Sequence, residues 1–375
     1  MVDVYLLAAN EGDCIFIRYG DNEKKHSILI DGGTATCGRN VKRIIEFCNH
    51  NGEEMDMIFV THVDEDHIGG LITGMAAIDG RVLQNCVQNI AFNTSHGFQR
   101  HCQSCIEIPN KPEDSVKVTV SETDGCSVGD AKSLCDIIAD KGLNDRLIDF
   151  IIAGTQMIVG GAKLTILSPD KNSLRKFMNS WKEDIEQEPE TGCAWELPDT
   201  VYQDISSLMT QKYPGSDGSL SNRASIAFIF EYEDISILFL GDAVAPVYAR
   251  ELKRYINNEK IAFDAIKLPH HGSSRNLSEV FLKCIDTDTF MISSNGKTFS
   301  GQYTVPSKIT ISKLLKDRKK VVLLNNYSWW NTTYQNQFFT ENDVRNYINC
   351  GLLELHDVSK TAYSVNKGLN IYGKL

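Results

Sequence analysis

The chain is 375 residues long, 42% hydrophobic and 23% charged, which suits a folded protein with a large core and excludes a disordered or fibrous one. No apolar run reaches the ~18–20 residues that a membrane helix needs, and the opening MVDVYLLAANEGD lacks the basic flank of a signal peptide. A net charge of −11 argues against general affinity for nucleic acid but does not exclude it as a substrate, because a metal centre can hold phosphate on an acidic protein.

Residues 2–8 read as a strand, Asn10-Glu11-Gly12-Asp13 as a turn and 14–19 as the returning strand. Another buried strand, 27–30, ends in Asp31-Gly32-Gly33. Val41, Ile44, Ile45 and Cys48 recur at helical spacing, so 39–50 is expected to be an amphipathic helix. The apolar run 57–60 is a strand, a helix starts at about Ile68, and 87–92 is a strand. Beyond it the alternation weakens until a helix at 131–141 and a hairpin, 156–159 with 163–167, that turns at Gly160-Gly161. A helix at about 171–187 leads into an irregular acidic stretch that runs to Ser221. Such insertions between core elements usually form lids or substrate walls. Alternation then returns: strands 224–232 and 235–240 ending in Gly241-Asp242, a helix 244–256, and a strand 263–268 ending in Pro269-His270-His271-Gly272-Ser273. A helix 277–284, a strand 289–293 ending in Ser294-Asn295-Gly296, a helix 307–316 and a strand 321–324 follow. Strands that alternate with helices imply buried sheets. The eleven cysteines are odd in number and scattered, a pattern of reduced thiols, so a cytoplasmic location is expected.

The chemistry concentrates in Thr61-His62-Val63-Asp64-Glu65-Asp66-His67-Ile68-Gly69-Gly70. Four side chains able to bind metal, His62, Asp64, Asp66 and His67, lie within six residues where a strand runs into a turn. Imidazole and carboxylate together form the ligand set of hydrolytic Zn, Mn or Fe centres. Asp31, Asp242 and His270/His271 sit at the ends of other expected strands, where a site at the rim of stacked sheets draws its groups.

This set, with Glu11-Gly12-Asp13 and Asn222-x-x-Ser225, resembles the metallo-β-lactamase superfamily, and within it the soluble domain of the competence protein ComEC and its stand-alone relatives. The resemblance runs from the first turn to about Leu324 and implies an αββα sandwich. One domain over 1–330 would carry insertions at 93–155 and 171–221, with 331–375 as a C-terminal extension packed on it. His62 and Asp64 would bind a first metal, Asp66, His67 and His271 a second, and Asp242 would bridge the two. Most relatives have a histidine where this chain has Asp64. Many supply another to the first metal near the place of Asn222. His270 would stand in the outer shell or at the substrate, and Asp31 is read as orienting a histidine ligand. Asp66, His270 and Asp31 are thus the expected catalytic group. Three carboxylates against two divalent ions leave a centre of about +1, suited to an anionic ester, and the shift toward oxygen ligands puts Mn²⁺ slightly ahead of Zn²⁺.

The expected function is therefore that of a metal-dependent hydrolase, a nuclease or other phosphodiesterase, in which two metals turn a shared water into a hydroxide. Arg223, Arg275, Lys297 and Lys308 are the candidates to meet substrate phosphate, and Asn222, Ser273, Ser294 and Asn295 to line the same rim. Two alternatives stand beside this reading. One is a hydrolase of a small ester, lactone or phosphoester. The other is a metal-bound effector subunit working with a protein partner such as a sensor ATPase, since several stand-alone relatives occur in phage-defence operons. A structural zinc at His96, His101, Cys102 and Cys105 is the weaker reading of those residues, because one Cys-x-x-Cys without a second pair is a poor signal.

Overall fold

The computed structural model describes residues 1–102, 128–180, 203–256, 259–296, 298–299, 303–331, 338–366 and 368–375. Three antiparallel strands open the chain, β1 (Val2–Leu6), β2 (Ile15–Gly20) and β3 (Lys25–Ile30). Helix α1 (Gly38–Asn51) leads to β4 (Met57–Val60), and α2 (Glu65–Ala76) and α3 (Gly80–Cys86) lead to β5 (Ile90–Phe92), each strand parallel to the last. Helices α4 (Ser95–His101) and α5 (Val128–Asp140) precede β6 (Leu147–Ile148).

The hairpin of β7 (Gln156–Val159) and β8 (Ala162–Ser168) begins the second half. Then come α6 (Lys171–Ser180), α7 (Ile205–Thr210) and α8 (Leu220–Ala224). The hairpin β9 (Ala227–Tyr232) and β10 (Ile235–Phe239) is followed by α9 (Ala245–Leu252). A short ribbon of β11 (Ile261–Ala262) and β13 (Ile285–Asp286) flanks β12 (Ala265–Lys267) and α10 (Glu279–Cys284). The chain continues through β14 (Thr289–Ile292), the ribbon β15 (Thr298–Phe299) and β16 (Tyr303–Thr304), α11 (Lys308–Lys316) and β17 (Val321–Asn325). Its last part holds α12 (Glu341–Asp343), β18 (Leu353–Asp357), β19 (Tyr363–Ser364) and β20 (Leu369–Tyr372).

Two eight-stranded sheets result, ordered β19-β20-β1-β2-β3-β4-β5-β6 and β18-β17-β14-β12-β10-β9-β8-β7. Side chains alternate between the faces of a strand, so each central strand feeds two cores at once. Ile28 and Ile30 of β3 and Phe59 of β4 point between the sheets, where they meet Phe228, Ile237 and Met291. The Phe59 and Phe228 rings stack there, with centroids 4.6 Å apart. Leu29 and Ile58 point outward onto Val41, Ile44, Ile45 and Cys48 of α1. On the far side Leu238 and Phe290 meet Tyr248 of α9, Phe281 of α10 and Ile311 of α11. Three cores separate four layers, and the fold is the αββα sandwich. Strands buried on both faces explain the continuous apolar runs in the sequence, and each fully buried large side chain contributes about 1.5–3 kcal/mol.

Several boundaries differ from the sequence reading. The second helix begins at Glu65, with Asp64 at its N-cap, so Asp66 and His67 lie in its first turn and not in a preceding loop. The strand expected from 224 begins at Ala227, because Ser219 caps a short helix over 220–224 by accepting from the Asn222 amide at 3.2 Å. The strand expected from Val87 begins at Ile90, and the helix 244–256 ends at Leu252 before a single 3₁₀ turn. The end of the helix expected at 171–187 lies outside the described residues. The last residues add β18 to one sheet, parallel to β17, and β20 and β19 to the other, with β20 parallel to β1. Among the described residues no helix is long and apolar enough to cross a membrane, and eight cysteines are free thiols.

Candidate metal centre

The site is built where strands of both sheets end on one rim. Strand β3 delivers Asp31, β4 delivers Thr61 and His62, and the turn after β4 with the first turn of α2 delivers Asp64, Asp66 and His67. From the second sheet, β10 delivers Asp242, and β12 delivers His270 and His271. Close backbone approach makes this convergence fit. A Cβ on Gly12 would lie 1.6 Å from the Asp66 carbonyl oxygen, and one on Gly70 would lie 1.9 Å from that of Gly32.

Asp242 is the hub. Its Oδ1 lies 3.4 Å from His67 Nε2, and its Oδ2 lies 3.5, 3.7 and 3.9 Å from Nε2 of His271, His270 and His62. His62 Nε2 is also 3.4 Å from Asp64 Oδ2, and His271 Nε2 is 3.1 Å from Asp66 Oδ2. The six residues expected to bind metal are thus brought together, with His270 beside them. The side chains of His62 and His67 are fully buried, whereas those of Asp64 and Asp66 are 24% and 21% exposed, so the cluster opens to solvent on the aspartate side.

Each imidazole is held in one tautomer by a partner at Nδ1. Asp31 Oδ2 accepts from His67 Nδ1 at 2.7 Å and from the Thr61 hydroxyl at 2.6 Å, while its Oδ1 accepts from the Thr61 amide at 2.8 Å. Since Thr61 Oγ1 donates to Asp31, it accepts from His62 Nδ1, 3.0 Å away. His271 Nδ1 donates to the Ser293 carbonyl at 3.0 Å. His270 Nδ1 lies 3.1 Å from Asn276 Oδ1 and 3.3 Å from Asp217 Oδ2. All four rings therefore engage their partner through Nδ1 and turn Nε2 toward Asp242, the orientation that a metal-binding histidine needs. Asp31 itself has a φ of 55°, a left-handed backbone that aspartate tolerates better than most residues.

A metal fits this donor set. Nε2 of His62 and His67 and Oδ1 of Asp64 and Asp242 are buried without a hydrogen-bond partner among the described residues. Orphaned donors and acceptors in a packed interior cost about 1–3 kcal/mol each unless something binds them. The clusters of His, Cys, Asp and Glu able to hold a metal among the described residues all fall at this centre. In the metal-free cluster the surrounding carboxylates raise the pKa of His67, His270 and His271. Burial alone would lower the His67 pKa, but Asp242, Asp66 and Asp31 outweigh it and push it well up. His271 rises to about 9 against the same burial, through Asp242, Asp13 and Asp66. Asp242 stays well below the usual carboxylate range, because His67, His271 and His270 overcome its burial. His62 likewise overcomes burial at Asp64 and holds it at about 2.

A turn that the sequence reading left without a role braces the second-metal side. Asp13 pairs with Lys267, both side chains 1% exposed, and its Oδ1 lies 3.7 Å from His271 Nδ1. Ser293 Oγ donates to the Gly12 carbonyl at 2.5 Å, and Asn295 Nδ2 donates to Glu11 at 3.0 Å. Asp217 was also missed. It is fully buried and accepts from Asn222 at 2.6 Å and Asn276 at 3.2 Å, so Asn222 is turned onto a carboxylate. A lysine inside the apolar run 263–268 was a legible signal for a buried ion pair. The acidic stretch around Asp217 offered none.

The expected substrate residues divide. Ser273 Oγ accepts from the Arg275 amide at 3.3 Å and Ser294 Oγ donates to the Val305 carbonyl at 2.6 Å, so both hydroxyls have backbone partners. Arg223 donates to the Asp217 carbonyl and Arg275 to that of Gly215, each at 3.3 Å, beside the His270 side of the centre. Lys308 is fully buried and pairs with Asp343 at 2.6 Å, so it is not open to substrate; Lys297 lies outside the described residues, as does Cys105. His101 stacks on Phe150 with centroids 4.6 Å apart and faces the Gly97 carbonyl, which is the packing of an ordinary side chain.

No family model matches the chain, and no curated protein matches it in sequence. Among solved structures it is similar to zinc-bound PqqB from Methylobacterium extorquens, at 11% identity over 91% of this chain and 84% of that one, with a TM-score of 0.37. It is similar to the metallo-β-lactamase MIM-1 from Novosphingobium pentaromativorans, at 12% identity over 71% and 75%, TM-score 0.29. For the metallo-β-lactamase MIM-2 the values are 11%, 72%, 77% and 0.30. Values this low leave the chemistry to be read from the side chains themselves.

Proposed function

We propose that the chain is a metal-dependent hydrolase of the ComEC-like branch of the metallo-β-lactamase superfamily, acting on phosphodiesters, with nucleic acid as the favoured substrate. The observation that carries this reading is the set of four Nε2 atoms turned toward Asp242, each ring engaged from behind through Nδ1. His62, Asp64, Asp66, His67, His271 and Asp242 would hold two divalent cations, Mn²⁺ or Zn²⁺, which when bound supply Lewis acidity and a lowered pKa for water.

The protein's own part is to fix and polarise. Asp31 orients His67 directly and His62 through Thr61, so one carboxylate serves both halves of the centre. The Asp13–Lys267 pair and the Ser293 carbonyl hold His271 from behind. Asp64, Asp66 and Asp242 bring three negative charges, so two divalent ions leave a small positive excess that attracts an anionic ester. Partly exposed Asp64 and Asp66 mark the side from which substrate would enter. The eight cysteines among the described residues are free thiols, which supports a reducing, cytoplasmic compartment.

The test is digestion of plasmid DNA and RNA with Mn²⁺ or Zn²⁺, beside a chelated control and an Asp66→Ala variant. Cleavage by the wild type alone supports the reading. The net charge of −11 favours a second reading, a hydrolase of a small ester or phosphoester. Intact nucleic acid with turnover of a p-nitrophenyl phosphodiester or ester would select it. Recovery of a stoichiometric protein partner, with no turnover of either substrate, would point to an effector subunit.

A further inference from the structure

We infer that His270 is a further ligand of the metal centre, and that Asp217, supplied by the inserted segment between α7 and α8, is its positioning residue. This rests on the metal-centre reading above.

His270 groups with Asp242 and His271, their ligand atoms all within 4.8 Å of one another. His270 Nε2 stands 3.7 Å from Asp242 Oδ2, within the 3.4–3.9 Å that separates the other three imidazoles from the same carboxylate. Two ligand atoms about 2.0–2.1 Å from one tetrahedral ion lie about 3.4 Å apart, so all four rings are at ligand spacing before any adjustment on binding. The ring is also aimed. Its Nδ1 faces Asp217 and Asn276, which leaves Nε2 as the atom turned inward. Asn222 lies 3.4 Å behind that ring at Nδ1 and is bound to Asp217. His270 therefore reaches Asp242 from the end of β12, and Asn222 and Asp217 form its backing.

Asp217 stands to His270 as Asp31 stands to His67, a buried carboxylate at the far nitrogen of an inward-facing ring. Asp31 belongs to a core strand end, but Asp217 comes from the insertion. That insertion is fastened to the core. The Asp217 amide donates to the Arg275 carbonyl at 3.3 Å, Lys313 Nζ donates to the carbonyls of Leu208 and Met209, and the Ile205 amide donates to Asp343 at 2.7 Å. The stretch 203–219 is thus part of the metal centre, and no mere cover over it.

The test is metal content after equilibrium dialysis against Zn²⁺, and separately Mn²⁺, for full-length wild type, His270→Gln and Asp217→Asn, with folding checked by circular dichroism. The inference predicts two ions per wild-type chain, about one in His270→Gln, and one of the two sites weakened by roughly ten- to hundred-fold in Asp217→Asn. If His270→Gln does not fold, Asp217→Asn alone decides. Two ions bound with wild-type affinity in His270→Gln, with any loss confined to KM for substrate, would overturn the inference and leave the metal-centre reading standing. No metal in the wild type would instead overturn the metal-centre reading itself.

Discussion

Replacing Asp31 by asparagine should weaken metal binding through a proton, without disturbing the backbone. Asparagine tolerates the left-handed φ of 55° at this position as well as aspartate does, so the turn should persist. Asp31 accepts three hydrogen bonds, from the Thr61 amide, the Thr61 hydroxyl and His67 Nδ1. An amide can keep the first through its oxygen, but its NH₂ group then faces His67 Nδ1 and must donate. His67 would move its proton to Nε2, the atom that should bind metal. Losing a partner of this kind typically costs 10–100-fold in metal affinity, or about 1.4–2.7 kcal/mol. The second site should take most of the loss, and the first a smaller share through Thr61 and His62. Titration calorimetry with Zn²⁺ in a competing chelator, beside a thermal melt of the metal-free variant, separates this effect from unfolding. Two sites of unchanged affinity in a folded Asp31→Asn protein would refute the reasoning.

Other predictions follow from the same contacts. Lys267→Met leaves Asp13 buried without its partner and should cost roughly 3–5 kcal/mol in urea unfolding; the double variant Asp13→Asn/Lys267→Met should recover much of that, and equal losses in both would contradict the pairing. In the metal-free protein His271 is raised to about 9, so its bound proton stabilises the fold fully below roughly pH 6.5 and this contribution fades as pH rises through 9. Melts in EDTA should therefore fall between pH 6 and 9, while the Zn²⁺-loaded protein shows no such fall; a metal-free protein that gains stability over that range would count against it. His101→Ala should leave metal content unchanged, since its ring packs on Phe150 away from the centre, and a lost ion would revive the structural-zinc reading.

Much of this was legible in the sequence because the chemistry is local there. His62, Asp64, Asp66 and His67 are clustered by the chain itself, and the buried strands announce themselves as continuous apolar runs. The start of α2 was misplaced for a physical reason. Asp64 stands at the N-cap, but its side chain makes no capping bond and faces His62 instead. A local rule broken at a functional site reads as a loop. β18 was missed because its sequence, LELHD, presents partly exposed residues at a sheet edge. Asp217 and Asn276 were illegible, since they reach His270 only when the insertion folds back on the core. Lys267 pairs with a residue 254 positions away, and no local pattern encodes that distance.

The most direct measurement is the metal content of the purified protein beside an Asp242→Ala variant, read by mass spectrometry after dialysis. Among the described residues Asp242 is the one carboxylate within 4 Å of all four imidazoles, so its loss should strip the centre. Two divalent ions per wild-type chain and less than one in the variant is the predicted result. A wild type that takes up no metal, or a variant that keeps both ions, would contradict the account.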